Sequence, residues 1–500
     1  MGVKDLWGML EPVRQHVPLS NFSGKSVAVD LGFWLCQMQT AVPSNGKDSK
    51  IYLRNLFFRI SALLRLNVDM VFVCDGRPPQ LKWEQMQKRQ NDRRIREGQE
   101  PLVKHASGNR SRFKSHLNEC AHLIKLLGLP VIQSDGEAEA TCAALNKDQR
   151  VDAVITDDSD VFLYGARNVL RNFTLDGKEA MVDYYEMNDL EEVLDLDRQK
   201  LIALALLLGC DYCPKGVPNV GKEVATKFLG SFDCGEQVLK HMFSWRTDND
   251  RSYSPTELCV RNRALRTANF PDKRIVDEFM KERNCGSTVR TALSKWKCPS
   301  LSFAQEFLSE KLGWTSDYTT SKVVPLISLW NQRVAELENR NLTPLKIQKE
   351  RTKGGLKYFE VQWHKLAEDK TTEQEYYVTL ENCEQFESAW GQLVSSYYAE
   401  KLEKKRKPKK PAKKKALPVA AVQPENLNDS LVLIPDETEE MEELELSFVQ
   451  ADQTEASNKP AKSGNVVDGL ENSPLPLLER LRLKQSNSKV LDKLFDSNCK

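Results

Sequence analysis

"AVITDDSDVFLYG", residues 153–165, begins as a short apolar run and then sets three carboxylates, Asp157, Asp158 and Asp160, within four positions. An apolar run of that length, ended by polar residues, is the pattern of a strand buried on both faces. Two other runs share the form: "KSVAVDLG" (25–32) closes on Asp30, and "VDMVFVCDG" (68–76) closes on Asp75. Between them "YLRNLFFRISALLRLN" (52–67) has helical periodicity, and "CAHLIKLLGLPVIQ" (120–133) reads as a helix leading into a strand. Strands alternating with helices predict an α/β fold built on a mostly parallel sheet. Ligands of such sheets bind beyond the carboxyl ends of the strands, so acids distant in sequence are expected at one edge.

Further acids join this set. "SDGEAEATCAAL" (134–145) supplies Glu137 and Glu139. Residues at i and i+2 share no face inside a helix, so both point one way only if the pair straddles a helix entry. "LLGCDYCPKG" (207–216) places Asp211 where an apolar helix ends. For any single acid, a helix cap or an ion pair is the simpler account; for the joint pattern it is not. Seven or eight carboxylates converging without matching lysines repel one another unless cations neutralise them. Hard oxygen donors select Mg²⁺, with Mn²⁺ as a substitute. So many ligands suit two ions about 4 Å apart, the arrangement that activates water and stabilises the leaving oxygen in phosphodiester hydrolysis. Asp157 lies outside the Asp158–Asp160 pair and is expected in an outer ring.

The 500 residues carry 72 Lys and Arg against 71 Asp and Glu, and a net charge of +1 hides strong local segregation. From Lys82 to Lys114 there are ten basic residues against four acidic ones, Arg93 and Arg94 among them. Such a segment beside a carboxylate cluster would contact phosphates and steer nucleic acid. "KGVPNVGKEVATKFLG" (215–230) has Gly216 and Gly221 at the two ends of a tight turn that starts a helix. Backbone N–H groups at such a turn bind phosphate without reading bases, and Lys215, Lys222 and Lys227 add charge there.

The twelve cysteines include one C-x-x-C, Cys210 and Cys213, with no second pair at zinc spacing. "MGVKDLWGML" has no secretory apolar core, and the longest apolar stretch, "LIALALLLGC" (201–210), is about half a membrane span. No membrane partner is expected, and the compartment is read as intracellular and reducing.

Five regions follow: an N-terminal nuclease region (1–100), an internal nuclease region (101–205), a helical DNA-binding region (206–335), a small β-plus-helix module (336–403), and a basic run with a disordered tail (404–500). In the module "PLKIQKE", "GLKYFEVQWHKL" and "EYYVTL" read as three strands and "CEQFESAWGQLVSSYYAEKLEKK" as a helix. Cutting the chain after residue 335 is expected to leave the nuclease part folded. "KKRKPKKPAKKK" (404–415) holds nine basic residues in twelve, a nuclear import signal, a DNA-binding extension, or both.

In "MGVKDLW", "VAVDLGFWL", "VFVCDGRPPQLK", "GEAEATCAAL", "DDSDVFLYGA" and "LLGCDYCPKGVPNVG", in that order over about residues 1–235, the chain resembles the flap endonuclease/XPG family of structure-specific nucleases. The resemblance implies a PIN-like nuclease core and metal binding by Asp30, Asp75, Glu137, Glu139, Asp158, Asp160 and Asp211. It implies that Lys82 and Arg89 contact the scissile phosphate and that Gly2 packs near the DNA. "GVPNVG" looks like the family's helix–two-turn–helix element, which holds duplex DNA with a monovalent cation such as K⁺.

"LRNLFFRIS", "RNFT" and the full N-terminal stretch look most like the GEN group of Holliday-junction resolvases. "KYFEVQWHKL" resembles chromodomain strands. Tyr358, Phe359 and Trp363 are either a methyl-lysine cage or the module's own core. "REGQEPLVKHASGNRS" (96–111) lacks helical periodicity, which argues against a closed threading arch and for a gateway open to junctions.

The reading is a nuclear Mg²⁺-dependent endonuclease on four-way junctions and 5′ flaps. Mainly flap or gap cleavage is the first alternative, and a non-catalytic junction scaffold the second. One carboxylate set means one incision per molecule. A monomer or weakly associating species is therefore expected to pair on the junction.

Overall fold

The computed structural model describes residues 2–40, 50–96, 108–174, 180–248, 252–283, 296–334, 340–353, 355–369 and 375–406. Its main sheet has seven strands, β1 (Gln15–Pro18), β2 (Ser26–Asp30), β3 (Asp69–Cys74), β4 (Val131–Gln133), β5 (Ala153–Ile155), β6 (Asn168–Thr174) and β7 (Met181–Glu186), in the order β1-β7-β6-β5-β2-β3-β4. Strands β6, β5, β2, β3 and β4 run parallel. β7 and β1 close one side antiparallel.

The expected mostly parallel sheet is present, and its central strands read as unbroken apolar runs because both faces are covered. Alternate residues serve opposite faces. Ala28, Val71, Val73 and Val154 pack in one core with the helices Ala138–Lys147 and Arg198–Leu208. Val27, Val29, Met70, Phe72, Ala153 and Ile155 pack in the other with Ile51–Arg65 and Gly108–Leu126.

The antiparallel side has a weaker sequence signature. β1 is four residues, Gln-His-Val-Pro, and β6 buries only part of Asn-Val-Leu-Arg-Asn-Phe-Thr. Neither is a continuous apolar run, so the patterns that reveal β2, β3 and β5 pass over them.

From Met187 to Arg333 the described elements are helices. In Arg198–Leu208 every residue from Lys200 to Leu208 is buried, and the Asp197 carboxylate accepts from the Lys200 N–H at 2.8 Å to cap its start. The helix ends on Gly209 at φ +111°, a conformation that turns the chain back toward the strand ends. No described helix is long and apolar enough to cross a membrane.

The C-terminal module has the three expected strands, β8 (Pro344–Lys353), β9 (Leu356–His364) and β10 (Tyr376–Asn382), in the order β10-β9-β8, with the helix Cys383–Arg406 against them. Phe359 and Trp363 are fully buried on Phe386, each with its ring centroid 5.9 Å from it. The Trp363 indole N–H donates to Thr379 Oγ1 at 2.6 Å. These two aromatics are core, not an open cage.

The module also shares a core with the helix Ser316–Arg333: buried Leu326 and Ile327 belong to one cluster with Val361, Trp363 and Tyr377. Gln332 donates to Glu381 at 2.6 Å, and the Leu342 N–H donates to Asn331 Oδ1 at 3.3 Å. A cut after residue 335 would therefore strip a buried face, against the expectation that the nuclease part stands alone. Most of the 96–111 stretch, the basic run beyond Arg406, and the whole tail lie outside the described residues.

Candidate active site

The parallel strands fan out in opposite directions from the β2–β5 junction, a topological switch point whose crevice opens at the carboxyl ends. Asp30 ends β2 and is buried, with Oδ1 accepting the Phe33 N–H at 3.0 Å. Asp75 follows β3. Its Oδ1 accepts the Ala138 N–H at 2.9 Å, capping the helix Ala138–Lys147. A Cβ built on Gly32 would stand 3.2 Å from Asp75 Oδ2 and 3.4 Å from Asp30 Oδ1, so the two carboxylates flank one point and a side chain there would be a tight fit.

Glu137 is the extended N-cap residue of that helix, and Glu139 lies in its first turn. The pair therefore straddles the helix entry, as their spacing requires, where the helix dipole favours negative charge. Asp158 and Asp160 follow β5; Asp158 Oδ1 accepts the Asp160 N–H at 3.0 Å. Asp211 arrives on the chain reversed at Gly209.

Burial and mutual repulsion raise the pKa of several of these acids. Asp30 is pushed up to about 7 by burial, then by Asp75 and Asp158. Glu139 is held above the usual carboxylate range by burial and Asp158. Asp160 is raised by burial and then by Asp158, and Asp158 by burial. The site thus favours an added positive charge.

Lys82 and Arg89, both from the helix Gln80–Arg96, supply part of it. The Lys82 ammonium pairs with Glu137 Oε1 and lies 3.4 Å from Asp211 Oδ2. Burial alone would lower its pKa, but Glu139, Glu137 and Asp211 outweigh that and hold it protonated. Arg89 donates to the Asp211 carbonyl at 3.3 Å and stands 3.8 Å from its Oδ1.

One ammonium and one guanidinium leave a large negative surplus, and Asp160 Oδ1 is buried without a hydrogen-bond partner. Hard oxygen donors with an orphaned acceptor fit a divalent cation. The acids are gathered rather than closed. Among the described residues, no three His, Cys, Asp or Glu side chains stand as a ready metal-ligand group.

Asp157 is engaged elsewhere. Gln37 donates to its Oδ2 at 2.7 Å, Arg171 to its Oδ1 at 3.1 Å, and the Trp7 indole to its carbonyl at 2.8 Å. It fastens the N-terminal segment, outside the acid cluster. Gly2 sits against that cluster at φ +88°, where a Cβ would fall 2.3 Å from Asp158 Oδ1. The Val3 N–H donates to Ser159 Oγ at 2.9 Å and holds this placement.

Two contributors were not foreseen. The Tyr164 hydroxyl donates to Glu137 Oε2 at 2.6 Å, and the Tyr212 hydroxyl reaches the same oxygen. Both stand inside quoted motifs, four residues after Asp160 and one after Asp211. A tyrosine in an apolar motif reads as packing until its hydroxyl is placed.

The candidate DNA contacts divide. Lys215, Lys222 and Lys227 are exposed, and Gly221 opens the helix Lys222–Leu229 with free space where a Cβ would stand. Gly216 does not fit its expected part. It is buried at φ +55°, its N–H donates to the Cys213 carbonyl at 3.0 Å, and a Cβ there would meet the Leu207 carbonyl at 2.4 Å. It is the close-packed corner of the turn, with its donor already used. Arg94 is half-buried on the basic helix, and the side chain of Arg93 lies outside the described residues.

Three family models match: the XPG N-terminal domain over residues 1–96, the XPG I-region over 128–211, and chromatin organization modifier domain 2 over 343–399. Human flap endonuclease GEN homolog 1 is 36% identical over 83% of this chain and 52% of its own length. Flap endonuclease GEN of Drosophila pseudoobscura pseudoobscura is 31% identical over 86% of this chain and 67% of its own. The chain thus spans about half the length of the human relative.

A crystal structure of human GEN1 in complex with Holliday junction DNA superposes with a TM-score of 0.69 at 37% identity, covering 81% of this chain and all of that one. The catalytic core of Rad2 in complex with DNA substrate gives 0.53 at 28% identity, covering 65% of this chain and 100% of that one. On the shared core, the module and the two XPG regions together, the chain belongs to the XPG family, in its flap endonuclease GEN group.

Proposed function

We propose that the protein is a Mg²⁺-dependent structure-specific endonuclease that cuts four-way junctions and 5′-flap DNA. The observation that carries this reading is the gathering of Asp30, Asp75, Glu137, Glu139, Asp158, Asp160 and Asp211 beside Lys82 and Arg89 at the switch point of the sheet. Human GEN1 in complex with Holliday junction DNA, from the same family, supports the substrate class.

Those seven carboxylates would hold two divalent ions, which supply Lewis-acid activation of water and charge neutralisation at the phosphate. Everything else falls to the chain. Lys82 and Arg89, tethered through Glu137 and Asp211, present their charge to the phosphoryl oxygens and stabilise the charge that develops there. Tyr164 and Tyr212 fix one oxygen of Glu137, and the other pairs with Lys82. The Gly221 helix start and Lys215, Lys222 and Lys227 bind duplex backbone without reading bases. A K⁺ ion at that turn would strengthen the same grip. Action on chromosomal DNA places the protein in the nucleus.

A single acid set makes one incision, so symmetric resolution takes two molecules assembled on one junction. End-labelled four-way junction, 5′-flap and nicked substrates, compared in Mg²⁺ and in Ca²⁺, test the reading. Junction and flap should be cut in Mg²⁺ only. Equal cutting of nicked duplex, or no cutting of branched substrates, overturns it. A cruciform plasmid reports the pairing: excess protein should give linear product, and mixing with the Asp30→Asn chain should enrich nicked circles.

A further inference from the structure

We propose that Cys210 and Cys213 are an oxidation site, forming a reversible intramolecular disulfide that closes around Asp211. The cleavage chemistry leaves this pair unused. Both thiols are free, and the sulfurs lie 3.5 Å apart. The backbone is already arranged for closure. The Cys210 N–H donates to the Cys213 carbonyl at 3.4 Å, and the Cys213 N–H donates to the Cys210 carbonyl at 3.1 Å.

Residues that exchange both bonds in this way hold their Cα atoms about 5.5 Å apart. That is inside the span of about 4.4–6.8 Å that a disulfide bridges. The sulfurs need approach by only about 1.5 Å to reach a bond of about 2.0 Å. A reagent reaches the pair through Cys213, which is half-buried; Cys210 is 3% exposed and stands in the wall of an open cavity of about 410 Å³ shared with Gly2, Arg89 and Asp211. Disulfides inside reducing compartments are typically transient and redox-sensing, which fits an exchangeable pair of this kind.

The oxidant is hydrogen peroxide. One thiolate attacks the peroxide, the O–O bond breaks, and a sulfenic acid and water form. The second thiol then attacks that sulfur; the S–S bond forms and a second water leaves. Two thiols lose two electrons and two protons, and the peroxide takes them. A dithiol reverses the step by exchange.

Only Asp211 and Tyr212 separate the two cysteines, so closing the bond tightens the turn that carries them. Asp211 pairs with Lys82 and Arg89, and the Tyr212 hydroxyl reaches Glu137. Drawing the sulfurs together by about 1.5 Å therefore strains the turn on which both sit and shifts their side chains relative to these partners. The loss of cleavage rests on the ligand role proposed for Asp211; formation of the bond does not.

The test uses the full chain treated with a few equivalents of hydrogen peroxide, capped with N-ethylmaleimide, digested and mapped by mass. The expected peptide carries Cys210 joined to Cys213, uncapped and lighter by two hydrogens. Mg²⁺-dependent junction cleavage falls roughly tenfold, and dithiothreitol restores both thiols and cleavage. Cys213→Ser gives no such peptide and keeps its cleavage after peroxide. Capping of both thiols in peroxide-treated protein overturns the site, as does an equal loss in Cys213→Ser. If the bond forms while cleavage is unchanged, closure around Asp211 is refuted, and Asp211→Asn in reduced protein reads the ligand role separately.

Discussion

Asp30→Asn should make the metal-free protein more stable while removing its activity. Asp30 is buried at the end of β2, and burial, Asp75 and Asp158 push its pKa from 3.8 up to about 7. A carboxyl whose folded pKa exceeds its unfolded value binds its proton more tightly in the fold. Stability is therefore lost as pH rises from the unfolded value through the folded one. A shift of about three units corresponds to at most about 4 kcal/mol by pH 8, and relaxation around the site lowers that to roughly 2–4 kcal/mol.

Asparagine keeps an oxygen for the Phe33 N–H and carries no charge. Urea denaturation in EDTA at pH 8 should therefore place Asp30→Asn about 2–4 kcal/mol above the parent. The gap should narrow to roughly 1–2 kcal/mol at pH 5, where the folded parent already holds the proton. In Mg²⁺ at about a hundred times its dissociation constant, the parent alone gains about 2.7 kcal/mol, and the gap closes or reverses. An Asp30→Asn chain less stable than the parent in EDTA at pH 8, or a gap independent of pH, would refute the reasoning.

Lys82→Ala and Arg89→Ala should each lower single-turnover cleavage roughly a hundredfold and junction affinity by only a few-fold; a loss confined to affinity would make them general backbone contacts. Tyr164→Phe removes a hydroxyl bond to Glu137 and keeps the ring, so the Mn²⁺ concentration for half-saturation, read by electron paramagnetic resonance, should rise by roughly 2–10-fold with little change in melting temperature. A chain ending at residue 335 should melt well below the parent, because Leu326 and Ile327 lose their cover; coincident melts would show that the module is separable.

The acids were legible because each follows an apolar strand or helix, and the topology of a parallel sheet does the rest. Asp30, Asp75, Asp158 and Asp160 could be placed at one edge before any distance was known. Glu137 and Glu139 required the helix entry between them, and the structure has it. Gly216 was misplaced because a glycine in a turn signals either an open backbone or a crowded one, and only the Leu207 carbonyl beside it decides. Tyr164 and Tyr212 were passed over because apolar context hides a hydroxyl's partner. β1 and β6 were missed because short, half-polar strands depend on their neighbours for identity. The continuity of the module with the helix Ser316–Arg333 rests on cross-chain packing such as Gln332 on Glu381, which no local pattern announces.

Single-turnover cleavage of an end-labelled four-way junction, with protein in excess and Mg²⁺ present, addresses the central claim when the parent and Asp30→Asn are compared at matched occupancy. The carboxylate-cage account predicts paired incisions near the branch point by the parent. For Asp30→Asn it predicts a rate lower by about a thousandfold or more, with junction affinity within a few-fold. Cleavage by Asp30→Asn at a rate near that of the parent would contradict it.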